Sequence, residues 1–209
     1  MLLPTAVQVV IPGGLPGDVQ GLRAASRVVA GAVSRSLHPR SPRAHAVSSC
    51  VTHTITTELE KLLRCDVLIF QFPLWWFSLP AILKGWVDRV FAMGTIYGGG
   101  QWFDAGKLRG KRAMLSLTTG GSEPIFSEAG LFGPLEQLLL PIHYGILRFT
   151  GFDVLPPFVA WSAAHVGDEG RARYLEQYGQ RLVSLGSTEP LRFLPLSEYD
   201  PVTFTRRLG

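Results

Sequence analysis

With 46% hydrophobic and 17% charged side chains over 209 residues, the chain has a globular composition and the length for one domain with a full core. Its net charge of +4 is modest and gathers towards the ends, at Arg23, Arg27, Arg35, Arg40 and Arg43 early and at Arg206 and Arg207 late. That pattern excludes a nucleic-acid groove, and no apolar run reaches the roughly 18 residues a membrane span needs. Pro4, Pro12, Gly13 and Gly14 break the first apolar segment and no basic residue precedes it, so we expect no signal peptide and a cytoplasmic protein. Cys50 and Cys65 have no metal-ligand spacing to His or to each other and read as reduced structural thiols, and no metal site is expected.

In chain order, Ala6 to Ile11 (AVQVVI) is a strand candidate, followed by the turn-rich PGGLPGD and a weakly striped helical segment from Val19 to Leu37. A strand, a glycine turn and a helix would open a nucleotide-binding unit, although GGLPG matches no fingerprint and also reads as an ordinary turn. Ala6 to Ile11 is expected to pair into the sheet, and Pro39 to Ser49 to be irregular. Thr54 to Leu63 is a short helix with Glu58, Glu60 and Lys61 outside and Ile55, Leu59, Leu62 and Leu63 inside.

The centre of the chain is DVLIFQFPLWWFSLPAILKGWVDRVFAM, Asp66 to Met93. Val67 to Phe70 is an unalternating apolar run, which suits a strand buried on both faces. After Pro73 the period changes: Ile82, Leu83, Trp86, Val87, Val90 and Phe91 recur at helical spacing, with Ser78 as N-cap and Pro80 in the first turn. PLWWFSLP is therefore a strand-to-helix connection, and it carries Trp75, Trp76 and Phe77 to the carboxyl end of a strand. In open parallel sheets ligands bind at that edge.

Gly94 to Gly106 reads as a long, flexible, glycine-rich excursion, a kind of loop that is uncommon without a function. Ala113 to Leu117 is the next strand and ends in Thr118, Thr119, Gly120, Gly121 and Ser122, where glycines allow close approach to the backbone. Gly133 to Phe149 carries a helical stripe that Pro141 should kink, and Gly151 is a C-terminal stop. Val154 to Trp161 is extended, Asp168 caps a last helix that buries Tyr174, Leu175, Tyr178, Leu182 and Leu185, and residues 187–209 form a surface tail. Alternating strands and helices imply an α/β, doubly wound parallel sheet with helices on both faces. It divides into an atypical start (1–57), a core (58–186) and the tail, all within one domain.

No G-x-S-x-G elbow is present, and His143 and His165 lack a partner at a diagnostic spacing, so both read as structural or surface residues. Trp75, Trp76 and Phe77 beside glycine-rich backbone could clamp a flat conjugated ring on its face while N–H groups hold its polar edge, as a flavin requires. The alternative is that these aromatics are core.

QFPLWWFSLPAILKGWVDRVF, followed by LSLTTGGS and by GILRFTGFDVLPPFV, resembles the flavodoxin-like NAD(P)H:quinone oxidoreductases of the DT-diaphorase type, from about Glu58 to about Leu185. The resemblance implies a homodimer with FAD at each of two sites on the dimer interface, NAD(P)H as electron donor, and two-electron reduction of quinones or similar small-molecule acceptors. By position it gives the flavin-contact role to Pro73, Leu74, Trp75, Trp76 and Phe77 and to Thr118, Thr119, Gly120 and Gly121. Tyr97 resembles a tyrosine that reaches into the partner's site. Where the vertebrate enzymes have a Tyr and a His, this chain has Phe126 and Phe132, which line the expected substrate pocket but donate neither a hydrogen bond nor a proton. HPRSP at His38 lies too close to Phe72 and lacks the Phe-Asn pair of the family's phosphate-binding turn, so the FAD phosphates should be held less well than the ring. The altered start and the missing Tyr and His also leave room for a catalytically weak or inactive relative that acts as a dimeric binding protein.

Overall fold

The computed structural model describes the backbone of residues 6–10 and 43–207 and the side chains of 54–207. The glycine-rich PGGLPGD turn, the Val19 to Leu37 segment and the turn at His38 lie outside the described residues. Among the described residues, five strands form one sheet in the order β1 (Ala6–Val10), β2 (Val67–Pro73), β3 (Arg112–Thr118), β4 (Asp153–Val154), with β5 (Phe158–Ala160) also paired to β3. β2 and β3 run parallel from Val67 opposite Arg112 to Pro73 opposite Thr118, which brings both carboxyl ends to the same edge. β1 pairs with β2 as expected of Ala6 to Ile11, but it runs antiparallel, with Ala6 opposite Gln71 and Val10 opposite Val67. The single extended segment expected over Val154 to Trp161 is two strands, one pairing at the start of β3 and the other at its end. Pro156 and Pro157 have no N–H for a ladder and fall between them.

The unalternating strands are buried on both faces. Leu68, Phe70, Phe72, Ala113, Leu115 and Leu117 pack beneath three helices: α1 (Arg43–Arg64), α2 (Ala81–Val90) and α3 (Leu135–Ile142). Ile69, Met114 and Leu155 pack beneath the last helix, α4 (Gly167–Val183), through Tyr178 and Leu182, with Leu185 just beyond its end. Leu175, expected on that face, is 63% exposed, because it lies one residue off the 174–178–182 stripe. Ile82 likewise faces out from α2.

Several element boundaries differ from the sequence reading. α1 spans 22 residues, so Arg43 to Ser49 is helical rather than irregular. Extending a helix that Thr54 to Leu63 already nucleates needs no new nucleus, which outweighs a weak local stripe. Glu58 was expected outside and is buried, accepting from Lys61 Nζ at 2.6 Å and from the Trp86 indole N–H at 3.2 Å. Ser78 does not cap α2, because the helix starts two residues later: Pro80 is the N-cap, with no side-chain cap hydrogen bond, and its carbonyl accepts from Leu83 and Lys84. α3 starts after Gly133 (φ 73°) and widens at His143–Arg148 into a π turn just after Pro141, where a helical donor is missing. Asp168 is inside the first turn of α4, paired with Arg171 at 2.5 Å, and Val166 is the N-cap.

The excursion from Gly94 is pinned by contacts, where the glycines suggested a flexible loop. Tyr97, Trp102 and Phe103 surround Phe149 at ring-centroid distances of 5.6, 6.5 and 5.4 Å, and Phe103 N–H donates to Phe149 O at 2.8 Å. The tail lies over the surface as expected, tied by Leu191 N–H to Val154 O at 2.7 Å and by Leu196 N–H to Asp104 Oδ2 at 2.5 Å. Partial burial alone would raise the Asp104 carboxyl, but the Leu196 N–H and the Arg148 guanidinium hold it below the usual carboxylate range. Among the described residues no helix is long and apolar enough to cross a membrane, and no cluster of His, Cys, Asp and Glu could hold a metal ion. Cys65 is buried, which pushes its thiol up to about 11 and leaves it a packing residue.

Candidate functional site

The register that sets Pro73 opposite Thr118 makes the loops after β2 and β3 leave the sheet side by side, joined by Leu74 N–H to Thr118 O at 2.9 Å. The first loop is a tight turn from Trp75 to Ser78, in which Trp76 (φ 51°) and Phe77 (φ 56°) both adopt the left-handed conformation. Bulky L-residues rarely do so, because Cβ crowds the following carbonyl. Trp75, Trp76 and Phe77 are 52%, 95% and 42% exposed, so these aromatics are not core. A strained turn that presents aromatic rings to solvent at a sheet's carboxyl edge is the pattern expected of a ligand clamp.

The second loop is held from behind. Thr119 is buried, and its hydroxyl donates to Gly121 O at 2.7 Å. Its own N–H goes to Ala160 O at 3.1 Å, while Ser162 N–H reaches Gly121 O at 3.0 Å and Ala163 N–H reaches Thr119 O at 3.2 Å. The segment after β5 therefore fixes the Thr119–Gly121 turn. These bonds occupy carbonyls, and among the described residues no acceptor takes the N–H of Trp76, Phe77, Gly120 or Gly121. A methyl built on Gly120 would meet nothing within 4 Å, whereas one on Gly121 would lie 2.3 Å from Ile125 Cδ1. Gly120 thus borders open space and Gly121 is packed. Two sets of free N–H donors at neighbouring strand ends, an approachable glycine and exposed rings fit an isoalloxazine, which needs donors along its polar edge and apolar contact on its faces.

Of the expected pocket residues, Phe126 and Phe132 join this site. Phe77 and Phe132 meet edge to face at 5.0 Å, Phe132 and Phe126 at 5.3 Å, and Phe126 and Trp161 at 5.4 Å. Phe126 is buried, Phe132 is 39% exposed, and together the four rings form a wall beside Gly121. Trp161 was missed in the sequence. A lone aromatic after a short strand resembles core, and only its position at the end of β5, with its carbonyl held by the Tyr174 hydroxyl at 3.1 Å, distinguishes it. Tyr97 is not brought to this wall within one chain. With Asp88, Phe91, Gly145 and Phe149 it lines a separate cavity of about 310 Å³.

The two histidines are placed differently. His143 sits on the π turn, buried, with Nε2 unpartnered, and burial pushes it down to about 4 and keeps it neutral. His165 is exposed in the segment that braces the glycine turn, its N–H donating to Ser162 O at 2.7 Å.

The chain is similar to known proteins. Residues 32–182 match the model of a family described by its flavodoxin-like fold. NAD(P)H dehydrogenase (quinone) 1 of Rattus norvegicus is 43% identical over 146 residues, 70% of this chain and 53% of the relative. Ribosyldihydronicotinamide dehydrogenase (quinone) of Mus musculus is 41% identical over 145 residues, 69% of this chain and 63% of that protein. The chain therefore spans about half to two thirds of the length of these curated relatives. A solved structure of a candidate quinone reductase from Klebsiella pneumoniae superposes with a TM-score of 0.70 at 37% identity, covering 84% of this chain and 72% of that one. With the sheet, the paired strand-end loops and these likenesses in agreement, the chain belongs to the flavodoxin-like fold family.

Proposed function

We propose that this chain is a flavin-dependent NAD(P)H oxidoreductase that makes two-electron reductions of quinones or similar flat acceptors. The observation that carries this reading is the pair of loops with free N–H groups, Trp76–Phe77 and Gly120–Gly121, flanked by exposed aromatic rings. Relatives named NAD(P)H dehydrogenase (quinone) support the choice of donor and acceptor. Pro73 to Phe77 and Thr118 to Gly121 would hold the ring, and Phe126 and Phe132 would border the acceptor. Bound flavin supplies the two-electron carrier that takes hydride from a nicotinamide and gives it up to a quinone. The chain's own part is to stack the flat partners, fix their distance and exclude water from one face. We take FAD as the flavin on the resemblance alone, and the cytoplasm, where NAD(P)H is available, as the location.

The test is the visible spectrum of the purified protein with and without added FAD, beside Gly120→Ala. The wild type should show bound-flavin bands. Gly120→Ala should keep its thermal stability, since the new methyl meets no protein atom, and lose flavin uptake, since that methyl occupies the approach to the turn. A wild type that takes up no flavin overturns the reading. Equal uptake by both proteins removes the glycine turn from the site. Extending the titration to FMN and riboflavin measures what the phosphates add.

We further propose a homodimer in which Tyr97 serves the partner's site, supported by its place on a cavity beside Phe149 that shares no lining residue with its own aromatic wall. Light scattering over a concentration series should give a dimer, and a monomer at every concentration counts against it.

A further inference from the structure

The glycine turn after β3 is gripped by the backbone that follows β5. Thr118 O accepts from Leu74 N–H at 2.9 Å on the side of β2, and Thr119 N–H donates to Ala160 O at 3.1 Å on the side of β5. Beyond Ala160, two successive N–H groups reach back to the turn. Ser162 N–H reaches Gly121 O at 3.0 Å and Thr119 Oγ1 at 3.3 Å, and Ala163 N–H reaches Thr119 O at 3.2 Å. In an extended strand successive N–H groups point to opposite sides. These two share a side, and Ser162 between them holds the left-handed conformation at φ 48°. Serine rarely adopts it, and such a residue persists where the surrounding structure holds it in place. The Thr119 hydroxyl adds a second donor to Gly121 O at 2.7 Å.

A trans peptide sets its C=O and N–H antiparallel. Ala163 draws Thr119 O towards the segment after β5, so the Gly120 N–H of the same peptide points away from that segment. Ser162 and the Thr119 hydroxyl draw Gly121 O the same way, which turns the Ser122 N–H outward as well. The direction of both donors is therefore fixed by bonds made behind the turn. Reducing a flavin adds negative charge to the polar edge of its ring, and a hydrogen bond to a charged acceptor is about twice as strong as one to a neutral acceptor. Resting on the flavin reading above, we propose that Ser162 and Ala163 are positioning residues of the flavin site. Their N–H groups aim those of Gly120 and Ser122 at the ring edge, and this favours reduced over oxidised flavin and raises the reduction potential of the bound cofactor.

The experiment measures the potential of the FAD-loaded protein by equilibration with a dye of known potential, together with FAD affinity and thermal unfolding of the flavin-free protein. Ser162→Val puts a β-branched side chain where φ is 48°, so the segment extends and one of the two N–H groups turns away. Reduced flavin should then lose about tenfold more affinity than oxidised flavin, which lowers the potential by about 30 mV for a two-electron couple. Thr119→Val, close in shape but without the hydroxyl, should lower the potential too, and Thr119→Ser, which keeps the donor, should not. Ser162→Gly adopts φ 48° without strain and should keep the wild-type potential. A residue that only stabilised the fold would shift Tm and change both affinities by one factor, leaving the potential where it was. If both valine variants hold FAD at the wild-type potential or above it, or if Ser162→Gly falls as far as Ser162→Val, the inference is wrong while the flavin reading stands. Should Ser162→Val fail to fold, Thr119→Val decides alone, and a wild-type potential in it overturns the inference. If the wild type takes up neither FAD nor FMN, the flavin reading falls and takes this inference with it.

Discussion

Replacing Trp76 with glycine is expected to make the protein more stable and less able to hold flavin. Trp76 is 95% exposed, so its ring contributes almost nothing to the folded state by burial, while φ 51° places its Cβ against the following carbonyl. That conformation costs an L-residue about 1–2 kcal/mol, and glycine adopts it freely at an entropic cost of about 0.5–1 kcal/mol in the unfolded chain. The net gain is about 1 kcal/mol, or about 2–4 °C in Tm for a chain of this size. Trp76→Ala removes the same ring but keeps the strained Cβ, and should leave Tm near that of the wild type. Both variants lose the stacking face, so flavin affinity should fall by about tenfold in each. Truncating a core aromatic would instead cost about 3–5 kcal/mol. Thermal unfolding with a flavin titration on the three proteins checks this: loss of stability in both variants with flavin affinity intact would show that Trp76 is a packing residue.

The opposite signs for stability and binding explain why this loop was readable before the fold was known. Local rules are broken at PLWWFSLP, where bulky aromatics stand in a tight turn, and violations of that kind concentrate where function holds them in place. β2 and α2 were legible for the converse reason, since an unalternating apolar run followed by helical spacing has few alternative readings. The antiparallel sense of β1 was not legible, because a short apolar strand carries no record of its neighbour's direction. The start of α1 was hidden by prolines and a weak stripe, and the buried Glu58 by the usual rule that carboxylates face water. Its partners Lys61 and Trp86 are a matter of tertiary placement. The free N–H groups of the two loops were also out of reach. They depend on which carbonyls Thr119, Ser162 and Ala163 occupy, and those bonds join segments more than forty residues apart in sequence.

Gly106→Ala is expected to be strongly destabilising. Its new Cβ would lie 2.5 Å from Gly151 Cα and 2.6 Å from both Gly151 N and Thr150 O, all of them backbone atoms that cannot rotate away. Gly151 has no room to yield, since it holds φ 104° and its own Cα–H side lies against Gly106 and Arg109. Relief must come from separating the excursion from the end of the π turn. That separation breaks Leu108 N–H to Thr150 O and Phe103 N–H to Phe149 O and loosens the rings of Tyr97, Trp102 and Phe103 around Phe149. A loss of about 3 kcal/mol, or about 6–12 °C in Tm, follows from overpacking against an immovable wall. Gly100→Ala is the control: at φ 85° it carries the left-handed strain, yet nothing lies within 4 Å of the added methyl, so it should cost only about 1 kcal/mol. Because Asp104 holds both Arg148 and the Leu196 N–H, the Gly106 variant should also speed amide exchange at Leu196 in the tail, while exchange along β2 and β3 changes only as global stability does. A Gly106→Ala protein as stable as the Gly100→Ala control would show that the excursion can shift off the π turn at little cost, and the anchoring of Tyr97 by this contact would then have to be abandoned.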